Sequence, residues 1–537
     1  AFTNGTKNAT AITMADYALR ADGRPLLPVG SKLVDAGGAF AWTAADVDFD
    51  GAPRIAGEAV DIGPVEGAQD AFAVSFSAEG AREVGPYSAT LMSTASGTGD
   101  ASSVLYCWDL NGDGIPDQSG AGLTAVTAHF AAYGTVPVTL WATNAPGTAS
   151  AAGARYTLDF TVNPATHYVV KGSSSARYPY VTWETAAAGI QEAVDAAAPG
   201  AEVVVSNGVY ALPTTLDIAK PVTVRGLTGD WDDVILDASG YQYKGAVYLH
   251  HGAAVLSGVT IRGGHCHELY AGGIHVLAGT ATNCHVTACY QTSINREGVA
   301  TRNYSGHIFD CLIDGNSVSR GNTYGGGLYQ YRQEAITERC VITNNTATQT
   351  YSGDGGGTGA RISGGIVRNC LIGWNKAGTT SSTEYQATGV RMTGGTMENC
   401  TIVGNTWTVT TASRPYATGF YHTGGYATNC LIADNAIMDG VASNWVSTAA
   451  TRIAYTCTTP LASALGDGCV LDKGNSYRVR EGILQLPPSS PCIGAGFNQP
   501  WMEEAIDLYG NRRIYGRRVD IGAVECLVGG GTVLLLH

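Results

Sequence analysis

From residue 284 onward the chain repeats itself at a nearly fixed interval, and this limits its architecture more than any other feature. Cys284, Cys311, Cys340, Cys370, Cys400 and Cys430 follow one another at steps of 27, 29, 30, 30 and 30 residues. Asn316, Asn345, Asn375, Asn405 and Asn435 each stand five residues after one of the last five cysteines. Ahead of these pairs come glycines followed by alternating residues, as in "GGLYQYRQ" (326–333), "GARISGG" (359–365), "GVRMTGG" (389–395) and "GFYHTGG" (419–425). A period of this size marks a solenoid. Helical repeats need amphipathic segments of ten or more residues, and none occur here. Short period-two strands separated by glycine turns fit coils of strands stacked about 4.8 Å apart.

In such a coil, equivalent positions of successive rungs point the same way. The cysteines are expected to be small apolar plugs in an interior ladder, and the asparagines inward turn residues bonded to their neighbours and to backbone. Parallel Cβ vectors keep ladder cysteines from good disulfide geometry, so these six are expected to be mostly free thiols. No CxxC or HxxxH spacing supports zinc.

Units of the form glycine-strand-Cys-Ile-x-x-Asn resemble the right-handed parallel β-helix repeats of secreted bacterial proteins, including those of polymorphic outer-membrane proteins. The stretch "TWETAAAGIQEAVDAAAPGAEVVVSNGVY" (182–210) is similar to the usual entry to such helices, a short amphipathic helix that plugs the open end. Its Ile190, Ala193, Val194 and Ala197 share one helical face. The resemblance implies an all-β chain with a right-handed parallel β-helix of about 30 residues per rung over 165–491, and an extracellular or cell-surface setting.

A second repeat has a longer reach. Residues 492–525, "CIGAGFNQPWMEEAIDLYGNRRIYGRRVDIGAVE", align without a gap to residues 33–66, "LVDAGGAFAWTAADVDFDGAPRIAGEAVDIGPVE", at a constant offset of 459. Fourteen residues are identical, among them Trp42, Asp48, Arg54, Asp61, Ile62, Gly63 and Glu66. The stretch resembles the closing segment that follows secreted bacterial β-helices, sometimes grouped as a choice-of-anchor domain. Residues 492–537 are therefore read as a closing segment with a terminal strand, and 1–66 as a closing-type segment lacking its own rungs. Three arrangements fit 1–66: a unit of a larger protein of alternating helices, docking on another copy to give head-to-tail fibres, or folding back on its own chain. The apolar Val533–Leu536 reads as an edge strand that covers the last rung or enters a neighbour.

Between these, residues 67–164 lose the thirty-residue step and show alternating strands such as "AFAVSFSA" (71–78) and "RYTLDFTVN" (155–163), the pattern of a β-sandwich. "YCWDLNGDG" with "YGTVPVTLWATN" is similar to polycystic-kidney-disease-type immunoglobulin-like domains, which implies a spacer or a sugar or protein contact. In "DLNGDGIPD", Asp109, Asn111, Asp113 and Asp117 have the spacing of an early calcium loop. The twelfth position is Gly120 instead of glutamate, and a plain turn fits equally.

The net charge of −14 and the scarcity of lysine leave no broad basic footprint for nucleic acid. No apolar run is long enough for a membrane-spanning helix. β-Helix lyases and hydrolases need carboxylates paired across a cleft, or a base beside a cation. No acidic cluster like the polygalacturonase set is present, nor the arginine and histidine motifs of pectate lyases. What remains is a column, Tyr248, His275, Tyr329, Arg361, Arg391 and Tyr421, expected to face outward on one sheet. It reads either as a stripe for binding an acidic glycan or as a solvated face of large residues. Seven histidines, including His250, His265, His267, His285 and His307, crowd the same half and read as surface chemistry. Three functions stay open: a structural or adhesive extracellular protein, a lyase acting on an acidic polysaccharide, and a noncatalytic glycan binder.

Overall fold

The computed structural model describes residues 72–81, 84–96, 104–144, 153–240, 245–266, 271–292, 296–319, 323–348, 356–378, 387–408, 417–437 and 440–526. Of the first 71 residues it places only the backbone of two short strands, Ala18–Leu19 and Pro25–Leu26. The aligned copy at 33–66 and the strand Val533–Leu536 thus lie outside the described residues, as does His267. The chain forms two compact units, Ala1–Asn163 and Pro164–His537.

In the first unit, strands Ala73–Glu79, Tyr87–Ser96 and Ala125–Phe130 make one antiparallel sheet, and Gln118–Ala121, Leu105–Asp109, Gly134–Thr143 and Gly153–Val162 make another. Alternation of buried and exposed residues along them places Phe76, Leu91, Trp108, Phe130, Leu140 and Phe160 in one core. Phe76 meets the Trp108 ring edge-on at 5.2 Å. These sheets fit the immunoglobulin-like sandwich expected for this stretch.

The second unit is a right-handed parallel β-helix with about 29 residues per turn. Helix Ile190–Ala196 plugs its start, burying Ile190, Ala193 and Val194 against strands Thr166–Val169, Glu202–Val205 and Leu216–Ile218. Each rung then turns two corners through left-handed residues. The first corner is the residue before each ladder cysteine: Asn283, Asp310, Arg339, Asn369, Asn399 and Asn429, with φ from 49° to 57°. Asparagine and aspartate tolerate this conformation better than other side chains, which explains their prevalence there. The second corner precedes each ladder asparagine, at Gly315, Asn344, Trp374, Gly404 and Asp434.

Each of the six cysteines is buried. Their thiols also have a polar task that valine could not perform. Each S–H donates to the carbonyl two residues back across the first corner, as from Cys370 to Arg368 at 3.1 Å and from Cys311 to Phe309 at 3.0 Å. The asparagines form an unbroken ladder. Asn316 Nδ2 donates to Asn345 Oδ1 at 2.9 Å, Asn345 to Asn375 at 3.0 Å, Asn375 to Asn405 at 3.0 Å and Asn405 to Asn435 at 2.9 Å. Asn435 passes the series on to Asn444. The same Oδ1 atoms accept the backbone N–H of the preceding rung's asparagine, and the Nδ2 atoms also donate to strand carbonyls.

The glycine that opens each upstream strand lies against this ladder. A Cβ on Gly359, Gly389 or Gly419 would stand 2.8, 2.8 or 2.6 Å from the Nδ2 of Asn375, Asn405 or Asn435. The repeated glycine and the repeated asparagine are therefore two halves of one contact. Replacing Asn375 by alanine strands the Asn345 amide and side chain in a buried site. We expect a loss of about 3 kcal/mol or more, read as a lowered denaturation midpoint, with Gly389→Ala producing a comparable drop through the clash.

Candidate functional site

The column expected along one sheet is present in register. Tyr248, His275, Arg302, Tyr329, Arg361, Arg391 and Tyr421 are successive partners on seven adjacent parallel strands. Arg302 was missing from the sequence-derived column. Its rung, like that of Tyr248, lacks the double glycine found beside the other members, but it stands 27 residues from both His275 and Tyr329, so the interval alone points to it. A second column beside the first adds Tyr304, Tyr331 and Arg332.

The expectation of a solvated face needs correction. His275, Tyr329 and Arg391 are buried, and Tyr248, Arg302, Arg361 and Tyr421 are half-buried. Large side chains one rung apart lie against one another instead of reaching into water. The Tyr248 and His275 rings stack at 4.9 Å, and Arg361 lies over the Tyr329 ring at 5.7 Å. Tyr304 and Tyr331 stack at 5.2 Å. The exposed Arg332 covers both, with its guanidinium 4.9 and 5.1 Å from the two ring centres and Nη2 donating to Tyr304 Oη at 2.5 Å. Burial, reinforced by the positive charge of Arg302 and His250, lowers the His275 pKa to about 3. His275 is therefore a neutral ring at ordinary pH, and the positive charge of the column resides in its arginines.

The remaining histidines do not converge. His285 pairs with Asp314 at 2.7 Å, His250 faces Asp217 at 3.5 Å, and His265 bonds Thr292 and stacks on Tyr290. Among the described residues no group of three or more histidines, cysteines or carboxylates is placed to hold a metal. In the sandwich, the loop 109–117 is shaped by its own amides. Asp109, buried, accepts the N–H groups of Asn111 and Gly112 on Oδ1 and of Gly114 on Oδ2. Asp113 Oδ1 accepts Ile115 N–H, while Asp117 Oδ2 accepts Leu110 N–H and Oδ1 the Asn111 side-chain amide. These bonds account for the turn with the four side chains acting as local backbone caps.

The most elaborate constellation in the second unit is one that pattern reading did not assign to any site. Residues 492–526 lie on the outer face of the sheet that carries Leu371, Thr401 and Leu431, packing Ile521, Ala523 and Val524 against Leu371, Val403, Leu431 and Cys457. Three first-corner asparagines on consecutive rungs hold the segment. Asn369 Nδ2 donates to Ile506 O at 3.1 Å, Asn399 Nδ2 to Asp520 O at 3.2 Å and Asn429 Nδ2 to Phe497 O at 2.9 Å, while Asn429 Oδ1 accepts Phe497 N–H at 2.7 Å. Inside the segment, the fully buried Arg513 reaches Glu525 at 3.0 Å and the carbonyls of Asp520 and Gly522 at 3.1 Å. Asp507 accepts the N–H groups of Tyr509, Asn511 and Glu525, and Asp520 those of Gly494 and Cys526. All four charged members recur in the first copy as Asp48, Arg54, Asp61 and Glu66.

The fold thus defines a right-handed parallel β-helix protein. No family model matches the chain, and no curated protein matches it. Among solved structures it is similar to pectate lyase Pel9A at 13% identity and a TM-score of 0.36, over 67% of this chain and 97% of that one. It is also similar to a family 28 exopolygalacturonase of Yersinia enterocolitica at 11% identity and a TM-score of 0.16, over 70% and 98%.

The charge cluster makes a prediction about pH. The Arg513 guanidinium pairs with Glu525 and lies in the field of Asp507 and Asp520, and burial pushes the Glu525 pKa from its ordinary 4.5 up to about 8. The folded segment therefore binds a proton that the unfolded one has released, so its stability is greatest below about pH 4.5 and falls as the pH rises toward 8. Hydrogen exchange, corrected for intrinsic rates, should show 492–526 opening more readily at pH 8 than at pH 6. Glu525→Gln should flatten that dependence.

Proposed function

We propose that this chain is an extracellular structural or adhesive β-helix protein built for serial, head-to-tail assembly. The observation that carries the reading is the repetition of the complete closing-segment chemistry at 33–66, including every member of its buried charge cluster. In the C-terminal copy this segment is seated on an outer sheet. The face formed by Asn369, Asn399 and Asn429 is already occupied by 492–526. A second closing segment needs other rungs, and the same outer column continues below through Leu312 and His285. On this reading 33–66 seats on those rungs of a second copy, and the polycystic-kidney-disease-like sandwich is a spacer between successive rods. Light scattering and negative-stain electron microscopy test it. The full chain should form concentration-dependent oligomers or filaments, and a chain starting at residue 67 should be monomeric with an unchanged β-rich circular dichroism spectrum. A full chain that stays monomeric at high concentration, with 33–66 folded back on its own rungs, would overturn the reading.

A second reading is favoured by Arg332, which is exposed on the tyrosine pair beside the arginine column. The face presents cationic and aromatic chemistry suited to the uronate residues of an acidic polysaccharide. Affinity electrophoresis in a uronate polymer should then retard the protein, with at least a several-fold weaker effect for Arg332→Ala. New unsaturated sugar ends, lost in Arg361→Ala, would mark a lyase instead of a binder.

A further inference from the structure

We propose that Cys457 and Cys492 form a covalent modification site, in which the two thiols are oxidised to a disulfide that fastens the closing segment to the end of the β-helix. The two residues come from segments that meet face to face. Cys457 lies in the outer column one rung beyond Leu431, on a strand paired with that of Leu431 on one side and that of Val470 on the other. Cys492 begins the segment laid over that column, with its carbonyl accepting Ile521 N–H at 2.9 Å and its N–H donating to Ser490 Oγ at 3.1 Å. Both side chains are fully buried in the cluster with Leu431, Leu484, Ile521 and Val524.

The Ser476 hydroxyl stands 3.2 Å from Cys457 Sγ, and the two thiols lie close enough for each to perturb the ionisation of the other. Their setting differs from that of the interior ladder. There, neighbouring cysteines sit on parallel strands with parallel Cβ vectors, and each thiol is engaged by the carbonyl two residues back. Cys457 is in register with Leu431 on the outward side of the sheet, the side that the segment beginning at Cys492 covers.

Oxidation by a small disulfide such as glutathione disulfide balances in two exchanges. One thiolate attacks the oxidant and releases one glutathione thiol, and the second thiolate displaces the other glutathione. The two cysteines lose two electrons and two protons in all, and one S–S bond of the oxidant is reduced to two thiols. Hydrogen bonding to Cys457 and burial push the Cys492 thiol up in the seated segment. Both thiols are buried once the segment is seated, so the exchange belongs to folding, before the segment closes.

The aligned copy adds a contrast. Its residue at the position of Cys492 is Leu33, although fourteen other positions are identical. The C-terminal segment alone carries the thiol, so it can be locked while the first copy stays exchangeable. That consequence rests on the assembly reading, whereas the bond itself does not.

The full chain, refolded in a glutathione redox buffer and alkylated before digestion, should yield a peptide pair joined through Cys457 and Cys492 that separates on reduction. Its melting temperature should fall by several degrees on reduction, a shift absent from Cys457→Ser and Cys492→Ser, whose circular dichroism serves as the check on folding. Alkylation of both cysteines as free thiols in the oxidised, folded chain would overturn the proposal. So would pairing of Cys492 with Cys469 or Cys526. Neither result depends on whether oligomers form.

Discussion

The asparagine ladder is the constraint on which the solenoid depends. A buried carboxamide has two donors and two acceptor sites to satisfy, and an interior position offers few partners other than its own equivalent one rung away. Asn316 to Asn435 solve this by donating to the next side chain and accepting from the previous rung's backbone and side chain. Each asparagine is satisfied only if the neighbouring rung is in register. A slip of one residue would leave the whole series unpaired in a low-dielectric interior. The glycines packed on the ladder and the left-handed corners on either side are secondary requirements of the same geometry, since both bring backbone close enough to reach the amides.

Much of this was legible in the sequence because a solenoid adds one covalent interval per rung, so that spacing along the chain becomes position in space. The interior of Cys284 to Cys430, the inward asparagines, the capping face of Ile190 and Val194, and the register of Tyr248 to Tyr421 all follow from counting. Counting could not supply lateral contacts. The burial of His275 and Arg391 depends on what lies over a sheet face, and the period does not encode that. Asn369, Asn399 and Asn429 look like ordinary corner residues, equivalent to Asp310 and Arg339 below them. Their side chains prove to be handles for a segment as much as 137 residues away, a relation without local signature.

The repeated 34-residue segment was visible as an alignment, but the reason for its conserved letters was not. Arg513, Asp507, Asp520 and Glu525 resemble surface charges when read in sequence. In the fold they are a buried cluster in which Asp507 and Asp520 bind backbone amides and Glu525 pairs with Arg513. Such a cluster contributes shape more than net stability, because desolvation consumes much of the ion-pair energy. It fixes a short stretch that has little regular secondary structure of its own, and this is what a portable closing module requires.

The placement of residues 492–526 has a mechanical consequence. A stack of rungs held only by its own ladders can be peeled from one end, one bond row at a time, at low force. Because the segment crosses three consecutive rungs and is tied to each by a separate asparagine, tension at the end of the rod loads those three attachments together in shear. The terminal turns therefore resist pulling as a block.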